Sequence, residues 1–171
     1  MPLIFLRHPK PNAPKGLCYG RTDLTLAPGL NHVAQRLGEK LPKVDTIVSS
    51  PLSRCRGLAQ AVANKRGLPV NTDEDLVEMD FGAWENTPWD SIDRKELDVW
   101  ADDFFHARPH GGESVAMLRE RVRSALTRLD NKMTLWVSHA GVYRALMAET
   151  NHHDPWNARI DFAEFEVLTL S

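Results

Sequence analysis

Short apolar segments alternate with longer helical repeats along most of this chain. Residues 3–6 form an uninterrupted apolar run, and 134–138 form a second, nearly apolar one. Residues 44–49 are a third short segment of the same kind. All three have the length and character of buried strands. Because strands and helices alternate, we predict an α/β fold with three α/β/α layers and a mostly parallel central sheet.

Two of the predicted helices lie in the first half of the chain, where apolar residues recur at helical spacing. Thr25 is a candidate N-cap for the first helix, with Pro28 in its first turn. Ser50 as N-cap and Pro51 at the first helical position predict the start of the second helix. Gly67 is placed to end that second helix.

The second half of the chain contains two more predicted helices and a closing strand. Ser114 is a candidate N-cap for a long helix, and residues 142–149 form the last helix. Residues 69–71 and 76–77 are weaker candidates for extended structure. Residues 162–170 alternate between apolar and polar positions, which predicts a strand that closes the sheet.

Residues 79–112 break the alternation of strands and helices. This stretch carries six of the large aromatic residues: Trp84, Trp89, Trp100, Phe81, Phe104 and Phe105. We predict one or two short helices here, inserted into a single domain of residues 1–171 as a cap of about residues 82–110. The rings form either part of the core or a lid that contacts an aromatic base in a substrate.

Length and composition fit one globular domain and exclude several classes of protein. The chain has 171 residues, 42% of them hydrophobic and 26% charged, with a net charge of −2. That balance gives no reason to expect nucleic-acid binding. Cys18 and Cys55 are too few for a disulfide framework or a metal cluster. Without a long apolar run or a signal-peptide pattern, we expect a cytoplasmic protein with no membrane span.

The charges are distributed unevenly along the chain. Residues 72–103 carry twelve acidic and two basic side chains, whereas the rest carries eleven acidic and nineteen basic ones. The acidic stretch is either a solvated face or an acidic cap above a basic body that holds an anionic ligand.

Arginine and histidine residues follow the ends of three predicted strands. Arg7 and His8 end the first strand, Arg54 lies just after the second, and His139 follows the strongest one. The carboxyl ends of parallel strands meet at one sheet edge, where open α/β sheets bind ligands. Arginine guanidiniums match phosphate oxygens, and the helices after Ser50 and His139 add N–H donors. We therefore predict a phosphate pocket in which a neutral imidazole can attack phosphorus.

Six segments resemble, in order, the histidine phosphatase superfamily, which includes phosphoglycerate mutases and many phosphatases. These segments are Arg7-His8, Gly20–Asp23, the Ser-Ser-Pro-Leu-Ser-Arg stretch that ends at Arg54, Glu78–Glu85, Gly112–Ser114, and Val137–Gly141. The resemblance implies a phosphoglycerate mutase-like fold with a short helical insertion. Within the superfamily, residues 17–23 and 78–85 are most similar to the α-ribazole phosphatases of cobalamin synthesis.

The resemblance implies a role for each residue that matches a family motif. His8 corresponds to the nucleophile that becomes phosphorylated, and Arg7 and Arg54 to the arginines that clamp the phosphate. His139 corresponds to the second histidine, which contacts the transferring phosphoryl group. Glu78 corresponds to the acid that protonates the leaving oxygen and then activates water.

Four further positions are candidates for phosphate binding. Arg21 corresponds to a pocket position near the phosphate in many members, and Ala140 follows the second histidine. Pro14 stands where many members carry an asparagine that binds phosphate. Asn12 or Thr22 is a possible substitute, and the sequence does not distinguish them.

The resemblance implies a phosphomonoesterase that acts through a phosphohistidine on a small-molecule phosphomonoester, in particular α-ribazole 5′-phosphate. It implies neither a metal nor another cofactor. The alternatives are a phosphoglycerate mutase, a protein phosphohistidine phosphatase, and a general small-metabolite or sugar phosphatase. Pro9, which replaces the commoner glycine, and Pro14 also leave open an inactive phosphate-binding module. A monomer and a homodimer are both compatible with the sequence.

Overall fold

A five-stranded sheet between two layers of helices makes up the computed structural model, which describes residues 1–170. The strands are β1 (Pro2–Arg7), β2 (Thr46–Ser49), β3 (Val70–Thr72), β4 (Thr134–Ser138) and β5 (Phe165–Thr169). The helices are α1 (Leu30–Lys40), α2 (Ser53–Arg66), α3 (Arg94–Asp102), α4 (Val115–Leu126) and α5 (Ala140–Glu149). The order of the strands in the sheet is β3-β2-β4-β1-β5, and only β5 runs antiparallel to its neighbour. The predicted three-layer α/β/α fold with a mostly parallel sheet is confirmed.

Strand β1 has a helical layer on each face and is the centre of the core. Leu3 and Phe5 pack with residues of α4 and α5, whereas Ile4 and Leu6 pack with residues of α1 and α2. All four side chains are fully buried. Because successive strand residues point to opposite faces, a run without polar positions is what a strand covered on both sides requires.

Helix α1 begins at Leu30, so the predicted start at Thr25 is wrong. The carbonyl of Thr25 accepts a hydrogen bond from the backbone N–H of Asn12 at 2.7 Å, which ties this segment to the preceding loop. Gly29 then precedes the helix with a φ of 107°. Glycine adopts this left-handed conformation without the steric cost that a side chain adds.

Helix α2 begins at Ser53, and Leu52 occupies its N-cap position, so the prediction of Ser50 as N-cap is also wrong. The hydroxyl oxygen of Ser50 lies 2.8 Å from Nε2 of His139, and its contact with the Leu52 N–H is long at 3.4 Å. Ser50 is thus used in a tertiary contact rather than as a cap. Gly67 ends α2 as predicted, with a φ of 63°.

The remaining boundaries agree more closely with the sequence. The hydroxyl of Ser114 accepts a hydrogen bond from the Met117 N–H at 3.2 Å and caps α4 as predicted. Helix α5 begins at Ala140, two residues before the predicted start. Of the extended structure predicted for residues 76–77, Leu76 instead ends the 3₁₀ turn Glu74–Leu76, whereas Val77 has extended backbone.

The stretch predicted as an insertion contains α3 and two 3₁₀ turns, Gly82–Trp84 and Trp89–Ser91. Trp84 is buried in a small cluster with Cys18 and Ile92, and its indole N–H donates to Glu96 at 2.6 Å. Part of the aromatic content is therefore a local core. Among the helices of residues 1–170, none has the length and apolar character needed to cross a membrane.

Candidate active site

The carboxyl ends of β1 and β4 bring the two predicted site histidines together. Arg7 pairs with Ser138 in the sheet, and the backbone N–H of His8 donates to the Ser138 carbonyl at 3.0 Å. His139 follows β4 directly, and its ring centroid lies 5.1 Å from that of His8. The predicted meeting of these strand ends at one edge is therefore observed.

The His8 side chain is buried and held in one orientation. Its Nδ1 lies 2.6 Å from the carbonyl oxygen of Pro9, and since a carbonyl can only accept, we assign the proton to Nδ1. Burial, followed by the charges of Arg54 and Arg7, lowers the pKa of His8 to about 3. His8 is consequently a neutral imidazole at physiological pH, with its lone pair on Nε2.

His139 is fully buried beside His8. Its Nε2 lies 2.8 Å from the Ser50 hydroxyl and 3.4 Å from the Cys55 sulfur. Burial, with a smaller contribution from the positive charge of Arg54, lowers the pKa of His139 well below its usual value. The site therefore contains two uncharged imidazoles in contact range.

Arg54 is a fully buried cation that forms no ion pair within residues 1–170. Its guanidinium donates to the carbonyls of Gly20 at 2.6 Å and Thr22 at 2.7 Å, and lies 5.4 Å from the Tyr19 ring centroid. The Nε–H has no acceptor in the described chain. A buried charge without a counterion is costly, and an anionic ligand would relieve that cost.

Arg7 has a similar environment at the end of β1. It donates to the Ile160 carbonyl at 2.8 Å, and its guanidinium carbon lies 3.9 Å from the Phe162 ring centroid. Burial lowers its pKa, and no carboxylate in residues 1–170 forms an ion pair with it. We call Arg7, His8, Arg54 and His139 the phosphate pocket, since their charges and donors fit a tetrahedral oxyanion.

The Glu78 carboxylate is fixed at the N-terminus of α5. It accepts hydrogen bonds from the backbone N–H groups of Met79 at 2.9 Å and Gly141 at 3.0 Å. A Cβ atom at Gly141 would lie 2.2 Å from Oε1 of Glu78, so only glycine allows this approach. The positive end of the helix dipole also favours the carboxylate here.

The family model described as "Histidine phosphatase superfamily (branch 1)" matches residues 3–171. This chain belongs to the histidine phosphatase superfamily. The resemblance predicted from the six segments is thereby confirmed.

Similar proteins within the superfamily include α-ribazole phosphatases and a phosphoglycerate mutase. The chain is 31% identical over 174 residues to the adenosylcobalamin/α-ribazole phosphatase of Escherichia coli, covering 94% of this chain and 86% of that one. The structure of the α-ribazole phosphatase from Shigella flexneri matches with a TM-score of 0.87 at 27% identity, covering 100% and 91% of the two chains. That of a phosphoglycerate mutase from Thermus thermophilus matches with a TM-score of 0.78 at 28% identity, covering 98% and 92%.

Glu85 organises the loop that holds Arg54 in this histidine phosphatase. Its carboxylate accepts hydrogen bonds from the backbone N–H groups of Gly20, Arg21 and Thr22 at 2.9–3.1 Å. Burial raises the pKa of Glu85, but these hydrogen bonds outweigh burial and leave the pKa below its usual value. The sequence placed Glu85 in a family motif without assigning it this role.

Two other contacts of the pocket were missed by sequence reasoning. The Ser50 hydroxyl contacts His139, and the Phe162 ring lies against both Arg7 and His8. Ser50 lies in the matched segment that ends at Arg54, and its place in that segment could have suggested a role in the site. Phe162 lies far along the chain in no matched motif, so only the folded structure brings it to the site.

The four further candidates for phosphate binding lie in different parts of the structure. The side chains of Arg21 and Asn12 are exposed, and no hydrogen bond joins either one to the phosphate pocket in the described chain. The Thr22 hydroxyl donates its proton to the Glu85 carboxylate, so this proton is already used in a hydrogen bond. Ala140 is the first residue of α5, next to Gly141. Phosphate binding by these four residues stays a prediction.

A cavity of about 230 Å³ opens beside Glu78, on the side of the insertion. We call it the aromatic cavity because four rings contribute to its walls: Phe81, Trp100, Phe104 and Trp156. As for metals, residues 1–170 contain no group of three His, Cys, Asp or Glu side chains arranged to bind one. Arg7 and Arg54 are the cationic side chains of the phosphate pocket.

Proposed function

We propose that this protein is a phosphomonoesterase that hydrolyses α-ribazole 5′-phosphate through a phosphohistidine on His8. One observation carries the proposal: the buried His8 imidazole lies beside His139 at the sheet edge and experiences the charges of Arg54 and Arg7, two cations that form no ion pair within residues 1–170. The names of the relatives from E. coli and S. flexneri support the choice of substrate.

In the first step, Arg7 and Arg54 bind the phosphate oxygens and the α5 N-terminus adds backbone dipoles. Nε2 of His8 attacks phosphorus as the bond to the leaving oxygen breaks. Glu78 transfers a proton to that oxygen, so that the alcohol leaves neutral. His139 donates to the phosphoryl oxygens, where charge accumulates in the transition state.

In the second step, water replaces the alcohol in the same place. Glu78, now a carboxylate, takes a proton from the water as its oxygen attacks phosphorus. The phosphorus–nitrogen bond breaks, inorganic phosphate forms, and His8 returns to a neutral imidazole. The protonated Glu78 is then ready for the next substrate.

The proposal includes the setting of the enzyme. We place it in the cytoplasm as a monomer or a homodimer that acts on a free small molecule and uses no nucleic-acid partner. The near-neutral net charge of −2 fits a protein with no nucleic-acid partner.

A phosphoglycerate mutase is the second candidate, and the T. thermophilus mutase structure is the observation in its favour. A mutase must retain the phosphoryl group and return it to a second hydroxyl of a glycerate. The apolar walls of the aromatic cavity favour a phosphatase, because a glycerate carboxylate would lose hydration there.

The test traps labelled phosphate on the enzyme and screens substrates. We expect ³²P from α-ribazole 5′-phosphate to appear on His8 as a base-stable, acid-labile adduct, and to be absent in His8→Ala. His32→Ala, which changes an exposed histidine, is the matched control and should label normally. Full turnover by His8→Ala would overturn the mechanism.

The screen compares phosphate release from α-ribazole 5′-phosphate, 3-phosphoglycerate, phosphoserine and sugar phosphates without added metal. We expect the highest kcat/KM for α-ribazole 5′-phosphate. Interconversion of 2- and 3-phosphoglycerate with little phosphate release would favour the mutase instead.

A further inference from the structure

We infer that the aromatic cavity binds the leaving group and selects esters whose alcohol carries a planar, uncharged aromatic ring system, such as a benzimidazole nucleoside. This inference rests on the proposed function, because it takes the phosphate pocket as the site where the ester bond is broken. It adds the surface that recognises the rest of the substrate.

The position of Glu78 connects the cavity with the reaction. Its carboxylate, fixed by the N–H groups of Met79 and Gly141, lies in the cavity wall, and Gly141 is two residues after His139 of the phosphate pocket. The proton donor must contact the leaving oxygen. The atoms bonded to that oxygen therefore extend toward the aromatic cavity.

The walls of the cavity suit an apolar guest. Besides the four rings, aliphatic side chains line it, and its charged groups are Glu78 and Arg144. An anionic leaving group such as a glycerate would lose hydration against the four rings and would lie near the Glu78 carboxylate, with Arg144 as the one cation of the wall. The volume of about 230 Å³ lies below the range of about 300–1,000 Å³ that drug-sized ligands occupy, which favours one small ring system.

The rings of the cavity differ from the structural tryptophan of the same insertion. Trp84 is only 3% exposed, and its indole N–H is held by Glu96. The Trp100 indole N–H has no acceptor within residues 1–170, so no hydrogen bond fixes this ring. Phe104 lies between Trp100 and Trp156, with centroid distances of 5.5 and 5.8 Å, and is only partly buried. All three rings line the aromatic cavity, where a bound ring system would pack against them.

The experiment uses the nucleoside α-ribazole, which lacks phosphate and so depends on leaving-group contacts alone. It is tested as a competitive inhibitor of phosphoserine hydrolysis, with ribose as the comparison ligand. We expect inhibition by the nucleoside and none by ribose at the same concentration.

Phe104→Leu removes a ring while keeping an apolar side chain. We expect it to raise the inhibition constant of the nucleoside about two- to tenfold, the factor that corresponds to one aromatic contact. Trp156→Leu, on the separate 3₁₀ turn Pro155–Asn157, should act in the same direction and covers the case in which one variant misfolds. Val99→Ala, on the exposed side of α3, is the control and should match the wild type.

Equal inhibition by nucleoside and ribose, or an inhibition constant that neither leucine variant changes, would overturn this inference. Failure of the proposed function has a different signature, since His8 would then not be labelled and no ester of the screen would release phosphate. Inhibition by the nucleoside that competes with neither substrate nor phosphate would place its site outside the aromatic cavity.

Discussion

The phosphate pocket and the aromatic cavity are built in different ways, although Glu78 borders both. The pocket side chains follow strand ends and are fixed by backbone carbonyls, as with His8 on Pro9 and Arg54 on Gly20. The cavity is formed largely by ring packing within the insertion and with Trp156. Under the proposed function, the sheet provides a fixed centre for the phosphoryl group, and the predicted insertion provides the surface that can vary with the alcohol.

Glu78 is the residue whose change should separate the two regions most clearly. We expect Glu78→Gln to lower kcat/KM for an alkyl phosphate ester about 10²–10⁴-fold, because the leaving alkoxide then receives no proton. For p-nitrophenyl phosphate the loss should be much smaller, since its phenolate leaves without protonation. The measurement is kcat/KM for both esters in the same preparation.

Glu74→Gln, at an exposed position, is the matched control for this change, and its kcat/KM for each of the two esters should stay at the wild-type level. Equal losses on the two esters in Glu78→Gln would show that Glu78 acts on the phosphoryl group rather than on the leaving oxygen.

Glu85 belongs to the predicted insertion, as do most rings of the aromatic cavity, yet we expect its substitution to affect the phosphate pocket. Its carboxylate holds the loop whose Gly20 and Thr22 carbonyls accept from Arg54. We expect Glu85→Gln to weaken inhibition by inorganic phosphate about tenfold or more, the effect of losing hydrogen bonds to a charged group. The measurement is the inhibition constant of phosphate beside the melting temperature.

Asp90→Asn changes an exposed carboxylate of the same insertion and serves as the comparison. A Glu85→Gln protein that melts earlier but binds phosphate normally would limit Glu85 to holding the insertion.

A decrease in pH should lower the free energy of unfolding, because His8 in the phosphate pocket resists protonation in the folded state. The pKa of His8 is about 3 when folded, against 6.5 for an ordinary histidine, so below pH 6.5 the unfolded chain binds a proton that the folded one does not. The free energy of unfolding should therefore fall as the pH decreases from 6.5 to 3, by up to about 1.4 kcal/mol per pH unit from this residue.

Urea unfolding between pH 7 and 5 measures this slope. His8→Asn should flatten it, although His139 contributes in the same direction and will keep part of it. His32→Asn, at an exposed position, should retain the wild-type slope. An unchanged slope in His8→Asn would mean that His8 becomes protonated in the folded state.

The sequence predicts most of the fold and the phosphate pocket because both depend on local signals. Apolar runs mark the buried strands, and Arg7, His8 and His139 lie next to their ends in the chain itself. The contacts of Ser50, Glu85 and Phe162 join distant segments, and no periodicity encodes such a pairing. The predicted start of α2 failed for the same reason, since Ser50 contacts His139 instead of capping that helix.

The hydrogen bond between His8 and the Pro9 carbonyl also limits the chemistry of the ring. With Nδ1 occupied, only Nε2 can accept the phosphoryl group, so we expect a single regioisomer, tele-phosphohistidine. The N–H at Nδ1 remains available to the same carbonyl after transfer, and the modified ring keeps its orientation. The regiochemistry of the intermediate is therefore set by one backbone oxygen.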